Sequence, residues 1–207
     1  MLSFQLNDEE RLRQEKIDPA EGYHPNTTVL EYVRQIGLTG TKEGCAEGDC
    51  GACTVAVGEI VNGKMQYKAC TSCLLFLPKL QGKHLVTVEG LASEGQLHPV
   101  QEAMVDHDGS QCGYCTPGII MSLFVMYQEM GSAEPDYLDA LTGNLCRCTG
   151  YRSIKDAAIQ IGRSKTNGNQ DQLADAKDQL FSIKPTNGVS HLLSAKGYLI
   201  PKTIGEA

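Results

Sequence analysis

The sequence predicts an α+β chain: a small domain of strands and one helix, followed by an all-helical domain. Three observations carry that expectation. Short alternating or β-branched segments crowd the first part of the chain around a single helical pattern. From Pro99 onward the apolar spacing becomes helical. The nine cysteines fall into two groups, 45, 50, 53, 70 and 73, then 112, 115, 146 and 148, as two sites in two domains would require.

The elements follow in order. LSFQL (2–6) alternates apolar and polar residues like a half-buried strand. Positions 27–36 place Val29, Leu30, Val33 and Ile36 at helical spacing, with Thr27 or Thr28 available as the cap. TVAVGEIVNGKMQYKA then reads as a hairpin, because Asn62-Gly63 suits a type I′ turn whose two central residues both take φ > 0. LVTV (85–88) adds another strand.

In the second half, Pro99 opens a helix through about His107, with Val100, Ala103, Met104 and His107 on one stripe. Pro117 opens a second through about Met130; its IIMSLFVMY run is apolar almost all round, as in a bundle core, and too short to span a bilayer. A third helix fits 135–142, stopped by Gly143. A fourth starts at Ser153, which forms a capping-box pattern with Asp156 ahead of Ile154, Ala157, Ala158 and Ile161 on one face. Four such helices close a small bundle. From about Arg163 to Gly188 the chain is polar and reads as a linker, and GYLIPKTIGEA (197–207) regains apolar residues.

With 207 residues the chain is long enough for two cores, and its formal charge of -7 disfavours a phosphate-tracking surface. The first twenty residues hold no apolar run of signal-peptide or membrane length, so a cytoplasmic protein is expected. An odd, clustered cysteine set fits metal ligation better than a secreted disulfide framework.

Cys45-x4-Cys50-x2-Cys53 with a distant fourth cysteine has the spacing of a plant-type [2Fe-2S] site. Such a cluster is anionic and favours nearby backbone N–H donors, which Gly44, Gly48 and Gly51 allow the chain to bring close. Zinc is the competing reading, although its sites tend toward paired C-x2-C knuckles. By spacing alone either Cys70 or Cys73 supplies the fourth thiolate. The second group, Cys112-x2-Cys115 and Cys146-x-Cys148, taken alone suits zinc as well as iron, but two helix N-termini near it favour an anionic cluster. No C-x-H pattern suggests a Rieske site, and no side-chain set reads as acid, base or nucleophile, so no catalytic residue is assigned.

TGTKEGCAEGDCGACTV, KAC, TVEGL, LHPVQEAMVDHDGSQCGYCTPG and NLCRCTGYRSI, in that order, resemble the iron-sulfur part of the molybdenum hydroxylases, most closely the small subunit of bacterial xanthine dehydrogenases. The resemblance covers about residues 2–162. It implies a β-grasp plant-type ferredoxin domain (1–90), an all-α four-helix [2Fe-2S] domain (91–163), and a linker leading to the start of a missing FAD domain (164–207). It assigns Cys45, Cys50, Cys53 and Cys70 to the first cluster, from the match of Ala69-Cys70 to the family's Ala-Cys, leaving Cys73 spare. Cys112, Cys115, Cys146 and Cys148 would hold the second, and Gln111 would hydrogen-bond the pterin of a molybdopterin partner. The implied function is electron transfer from molybdopterin through two [2Fe-2S] clusters to FAD, in an oxidoreductase acting on xanthine, or else on an aldehyde or another aromatic heterocycle. Its implied partners are a molybdopterin-binding large subunit and an FAD-binding subunit or domain. A zinc-binding interaction module is the reading from a different class.

Overall fold

The computed structural model describes residues 1–7, 13–93, 95–129 and 137–165. The predicted tail, most of the linker and the first residues of the third helix lie outside them.

One five-stranded sheet, in the order β2-β1-β5-β3-β4, organises the first half. Its strands are β1 (Leu2–Leu6), β2 (Arg13–Glu15), β3 (Thr54–Val61), β4 (Lys64–Thr71) and β5 (His84–Val86). β1 runs parallel to β5 and antiparallel to β2, while β3 is antiparallel to both β4 and β5. The β3–β4 turn is the expected one, with Asn62 at φ 51° and Gly63 at φ 74°. Helix α1 (Val29–Gln35) is capped by Thr28, whose hydroxyl accepts from Glu31 N at 3.1 Å while Glu31 Oε2 accepts from Thr28 N at 2.7 Å.

The second half supplies α2 (Pro99–Asp106), α3 (Thr116–Glu129), α4 (Tyr137–Leu141) and α5 (Arg152–Lys165). Helix α2 is capped by His98, whose Nδ1 accepts from Val100 N. Helix α5 begins one residue before the expected cap, after Tyr151 at φ 65°, so Ser153 lies inside its first turn.

Two cores sandwich the sheet, and strand alternation divides β3 between them. Val55 and Val57 join Phe4, Leu6, Val33, Leu77 and Leu85 under α1. Ala56, between them, faces the other way and joins the core that Tyr67 and Val86 share with Leu123 and Phe124 of α3 and Ile161 of α5. The helical half therefore closes the second face of the sheet, which is why α3 is apolar on every side. Among the described residues no helix is long and apolar enough to cross a membrane.

Candidate metal centres

Cys45, Cys50 and Cys53 of the first group occupy the loop between α1 and β3. Its backbone folds inward through left-handed conformations at Ala46 (φ 58°), Gly48 (φ 91°) and Gly51 (φ 69°). Cys45 N donates to Cys50 Sγ and Cys50 N to Cys45 Sγ, each at 3.4 Å. The Glu47 N–H, then the Cys50 N–H and thiol, lower the Cys45 thiol to about 7, so thiolate is accessible near neutral pH. Cys53 is buried with Cys73 and Leu30 in a cluster of their own. Burial, then the adjoining Cys53 thiol, push Cys73 up to about 11, with the Gly48 N–H opposing them at its sulfur.

The structure places Cys73, rather than the Cys70 to which the resemblance pointed, beside Cys53 and within electrostatic reach of Cys45. The reason is strand parity. Cys70 pairs with Val55 inside the β3–β4 ladder, so its side chain falls on the α1 side of the sheet. There it faces Lys68, Lys83 and Glu59, and burial raises its thiol. Cys73 lies past the end of β4 in a tight turn that Ser72 ties back to Cys53, by N→O at 3.3 Å and Oγ→O at 2.7 Å.

The second group gathers at the start of α3 and in the loop before α5. Cys148 Sγ meets Cys112 Sγ at 3.7 Å and Cys146 Sγ at 3.9 Å. Burial, then the Cys146 thiol, push Cys115 up to about 12. Burial opposes ionisation of Cys146, but the Thr149 hydroxyl at 3.0 Å and the Thr149 N–H outweigh it and lower the thiol to about 7. Cys146 N donates to Tyr151 Oη at 2.7 Å, fixing the loop. Cys112 and Cys148 are exposed, whereas Cys146 is buried. Gln111 is exposed beside Cys112.

Both groups have the donor set an iron-sulfur cluster requires: four thiols, one or more with a depressed pKa, and backbone N–H groups aimed at sulfur. Each also divides into pairs, Cys45 with Cys50 and Cys53 with Cys73 in one, Cys112 with Cys148 and Cys115 with Cys146 in the other. Among the described residues no three or more cysteine, histidine or carboxylate side chains converge on a single ion. Pairs of thiols suit a centre of two metal atoms, each taking two protein ligands.

The two loops touch. Leu145 N donates to Cys50 O at 2.9 Å, joining the residue before Cys146 to a cysteine of the first group. Beside that bond, Asn144 Nδ2 donates to Gly51 O at 3.0 Å and Asn144 Oδ1 accepts from Ser122 Oγ at 2.6 Å. A Cβ at Gly118 would lie 2.1 Å from Gly51 O, so glycine is what lets α3 lie against the first loop. Sequence spacing carried no signal for Asn144, Ser122 or Gly118.

Comparison with known proteins agrees with the chemistry. The family of 2Fe-2S iron-sulfur cluster binding domains matches residues 20–77, and a [2Fe-2S] binding domain family matches residues 87–159. The xanthine dehydrogenase of Emericella nidulans is 46% identical over 153 residues, covering 70% of this chain and 11% of that protein. Aldehyde oxidase 1 of Cavia porcellus is 48% identical over 150 residues, with 70% and 11% covered. The chain therefore spans about a tenth of the length of these relatives. Among solved structures, quinoline 2-oxidoreductase from Pseudomonas putida 86 has a chain that superposes with a TM-score of 0.64 at 29% identity, covering 82% of this chain and 97% of that one. Aldehyde oxidoreductase from Desulfovibrio gigas gives 0.66 at 29% identity, covering 85% and 18%.

Proposed function

Because the chain belongs to the two-domain [2Fe-2S] family that forms the N-terminal iron-sulfur region of xanthine dehydrogenases and aldehyde oxidases, we propose that it conducts electrons between a molybdopterin centre and FAD. Both groups lie in this reading on partner chains or domains. Residues 1–90 act as a β-grasp ferredoxin domain and 91–163 as a four-helix domain, in a cytoplasmic assembly. Nine free cysteines suit a reducing compartment.

Cys45, Cys50, Cys53 and Cys73 would hold the first cluster, and Cys112, Cys115, Cys146 and Cys148 the second. When bound, each cluster supplies one-electron storage at a potential set by its charge, hydrogen bonds to sulfur and solvent exposure. The protein's own part is to orient the thiolates, keep Cys53 and Cys146 dry, and hold the loops in contact. The observation that carries the reading is the Leu145 N–H to Cys50 O hydrogen bond, a short covalent and hydrogen-bonded path from one cysteine set to the other. The exposed Cys112 and Cys148, with Tyr114, Leu145 and Tyr151 around them, suit docking of the molybdopterin partner, toward which Gln111 would offer its carboxamide.

Xanthine is the substrate class that most of the matched relatives' names favour. An aldehyde or another aromatic heterocycle is the second reading, supported by the names of the aldehyde and quinoline oxidoreductases. The test is anaerobic purification of the full chain with whatever co-purifies. Red-brown protein with about four iron and four sulfide per chain, two paramagnetic signals on reduction, and bound molybdenum and flavin are expected. Colourless protein carrying zinc overturns the proposal, and turnover of xanthine against aldehydes and quinolines by the assembly decides the substrate.

A further inference from the structure

We propose that Asn144 is a positioning residue that sets the electronic contact between the two cysteine loops, an inference that rests on the electron-transfer reading above. Its side chain is 4% exposed and satisfied from three elements. The amide nitrogen donates to Gly51 O at 3.0 Å and to Thr54 Oγ1 at 3.3 Å, while Oδ1 accepts from Ser122 Oγ of α3 at 2.6 Å. Thr54 Oγ1 donates to the same Gly51 O at 2.7 Å. The carboxamide's orientation follows from chemistry: a backbone carbonyl only accepts, so the nitrogen must face Gly51 and the oxygen is left for the serine hydroxyl.

This network fixes the neighbouring bond. The Leu145 N–H lies in the peptide plane that begins at Asn144, because the peptide unit is planar. Pinning the Asn144 side chain to Gly51 and Ser122 therefore aims that N–H at Cys50 O, which it meets at 2.9 Å. Near-isosteric replacements do not serve. Aspartate has no donor and sets a carboxylate oxygen against Gly51 O. Leucine leaves the buried Ser122 hydroxyl without its acceptor.

The test uses the full chain carrying both clusters, with Asn144→Asp and the milder Ser122→Ala. Tyr67→Phe is the control. It removes the hydroxyl that meets His84 Nδ1 at 2.8 Å while leaving the ring packed on Phe124 of α3, and so weakens the neighbouring core outside this network. Deuterium exchange at the Leu145 amide is expected to accelerate on the order of tenfold or more in Asn144→Asp, as loss of a buried hydrogen bond implies. Electron equilibration between the clusters after pulse reduction is expected to slow, with iron content and each cluster's own absorption unchanged. Tyr67→Phe is expected to lower thermal stability and move neither readout. If Asn144→Asp does not fold, Ser122→Ala decides by the same two measurements. A fully loaded variant with the wild-type equilibration rate, or equal slowing in Tyr67→Phe, overturns the inference alone. Wild-type chain lacking two clusters overturns the electron-transfer reading and this inference with it.

Discussion

Three glycine-to-alanine substitutions separate backbone strain from steric collision at the domain junction. Gly63 has φ 74° and nothing within 4 Å of where a Cβ would stand, so alanine there meets strain alone, about 1 kcal/mol. Gly118 is helical, and alanine should gain ~1 kcal/mol of helix propensity. Its Cβ would nevertheless stand 2.1 Å from Gly51 O and 3.1 Å from Gly51 C, against backbone that cannot rotate away. An overpacking cost of ~3 kcal/mol leaves Gly118→Ala destabilised by ~2 kcal/mol. Gly51 combines both effects, with φ 69° and a Cβ position 2.2 Å from Gly143 O, and loses ~4 kcal/mol. Thermal unfolding of the full chain followed by circular dichroism should therefore rank the midpoints Gly63→Ala, Gly118→Ala, Gly51→Ala from highest to lowest, spaced at ~2–4 °C per kcal/mol. The sign at Gly118 is the discriminating result. A Gly118→Ala protein as stable as wild type would refute the claim that α3 lies directly on the first cysteine loop.

The remaining predictions are simpler. Cys73→Ala should remove one cluster and about half the iron while Cys70→Ala keeps the full complement; metal analysis with electron paramagnetic resonance reads the difference, and iron loss in the Cys70 variant would restore the assignment by family pattern. Thr28→Ala should cost ~1 kcal/mol of stability in urea unfolding through loss of the α1 capping box. Hydrogen bonds from Lys68 and then Lys83 hold the Glu59 carboxyl at about 2, below its ordinary 4.5. Its contribution is therefore present above pH 4.5 and is lost as pH falls toward 2. A small stability gap between wild type and Glu59→Gln at neutral pH should close on acidification, and a gap that widened would contradict the ion pairing.

Elements whose burial follows a simple period were legible in the sequence. The α1 face and the Asn62-Gly63 turn are local patterns and both are present, whereas β1 forms where expected but is buried on both faces, Gln5 included, rather than half-buried. β2 was not legible: Arg13-Gln14-Glu15 is a polar edge segment, placed by its pairing with β1 and by the hydrogen bond from Tyr32 Oη to Glu15 Oε1 at 2.8 Å. The short 3-10 turn at Leu77–Leu80 was missed because its leucines are buried by tertiary contact rather than by a helical repeat.

The fourth cysteine of the first set marks where spacing stops being informative. Cys70 and Cys73 differ by three positions, and the sequence pattern alone sets both just after the apolar run of the hairpin's second strand. What separates them is that one sits inside a ladder, where alternation dictates the face, and the other sits beyond it, where the chain is free to turn back. That distinction needs the strand's end, the least certain feature of any sequence reading. The domain junction is harder still. Asn144 and Gly51 are 93 positions apart. Gly143, which reads as helix punctuation, lies with its carbonyl under Gly51. A local pattern locates each cysteine set, but the contact that joins the two sets is non-local, and only the folded chain brings it together.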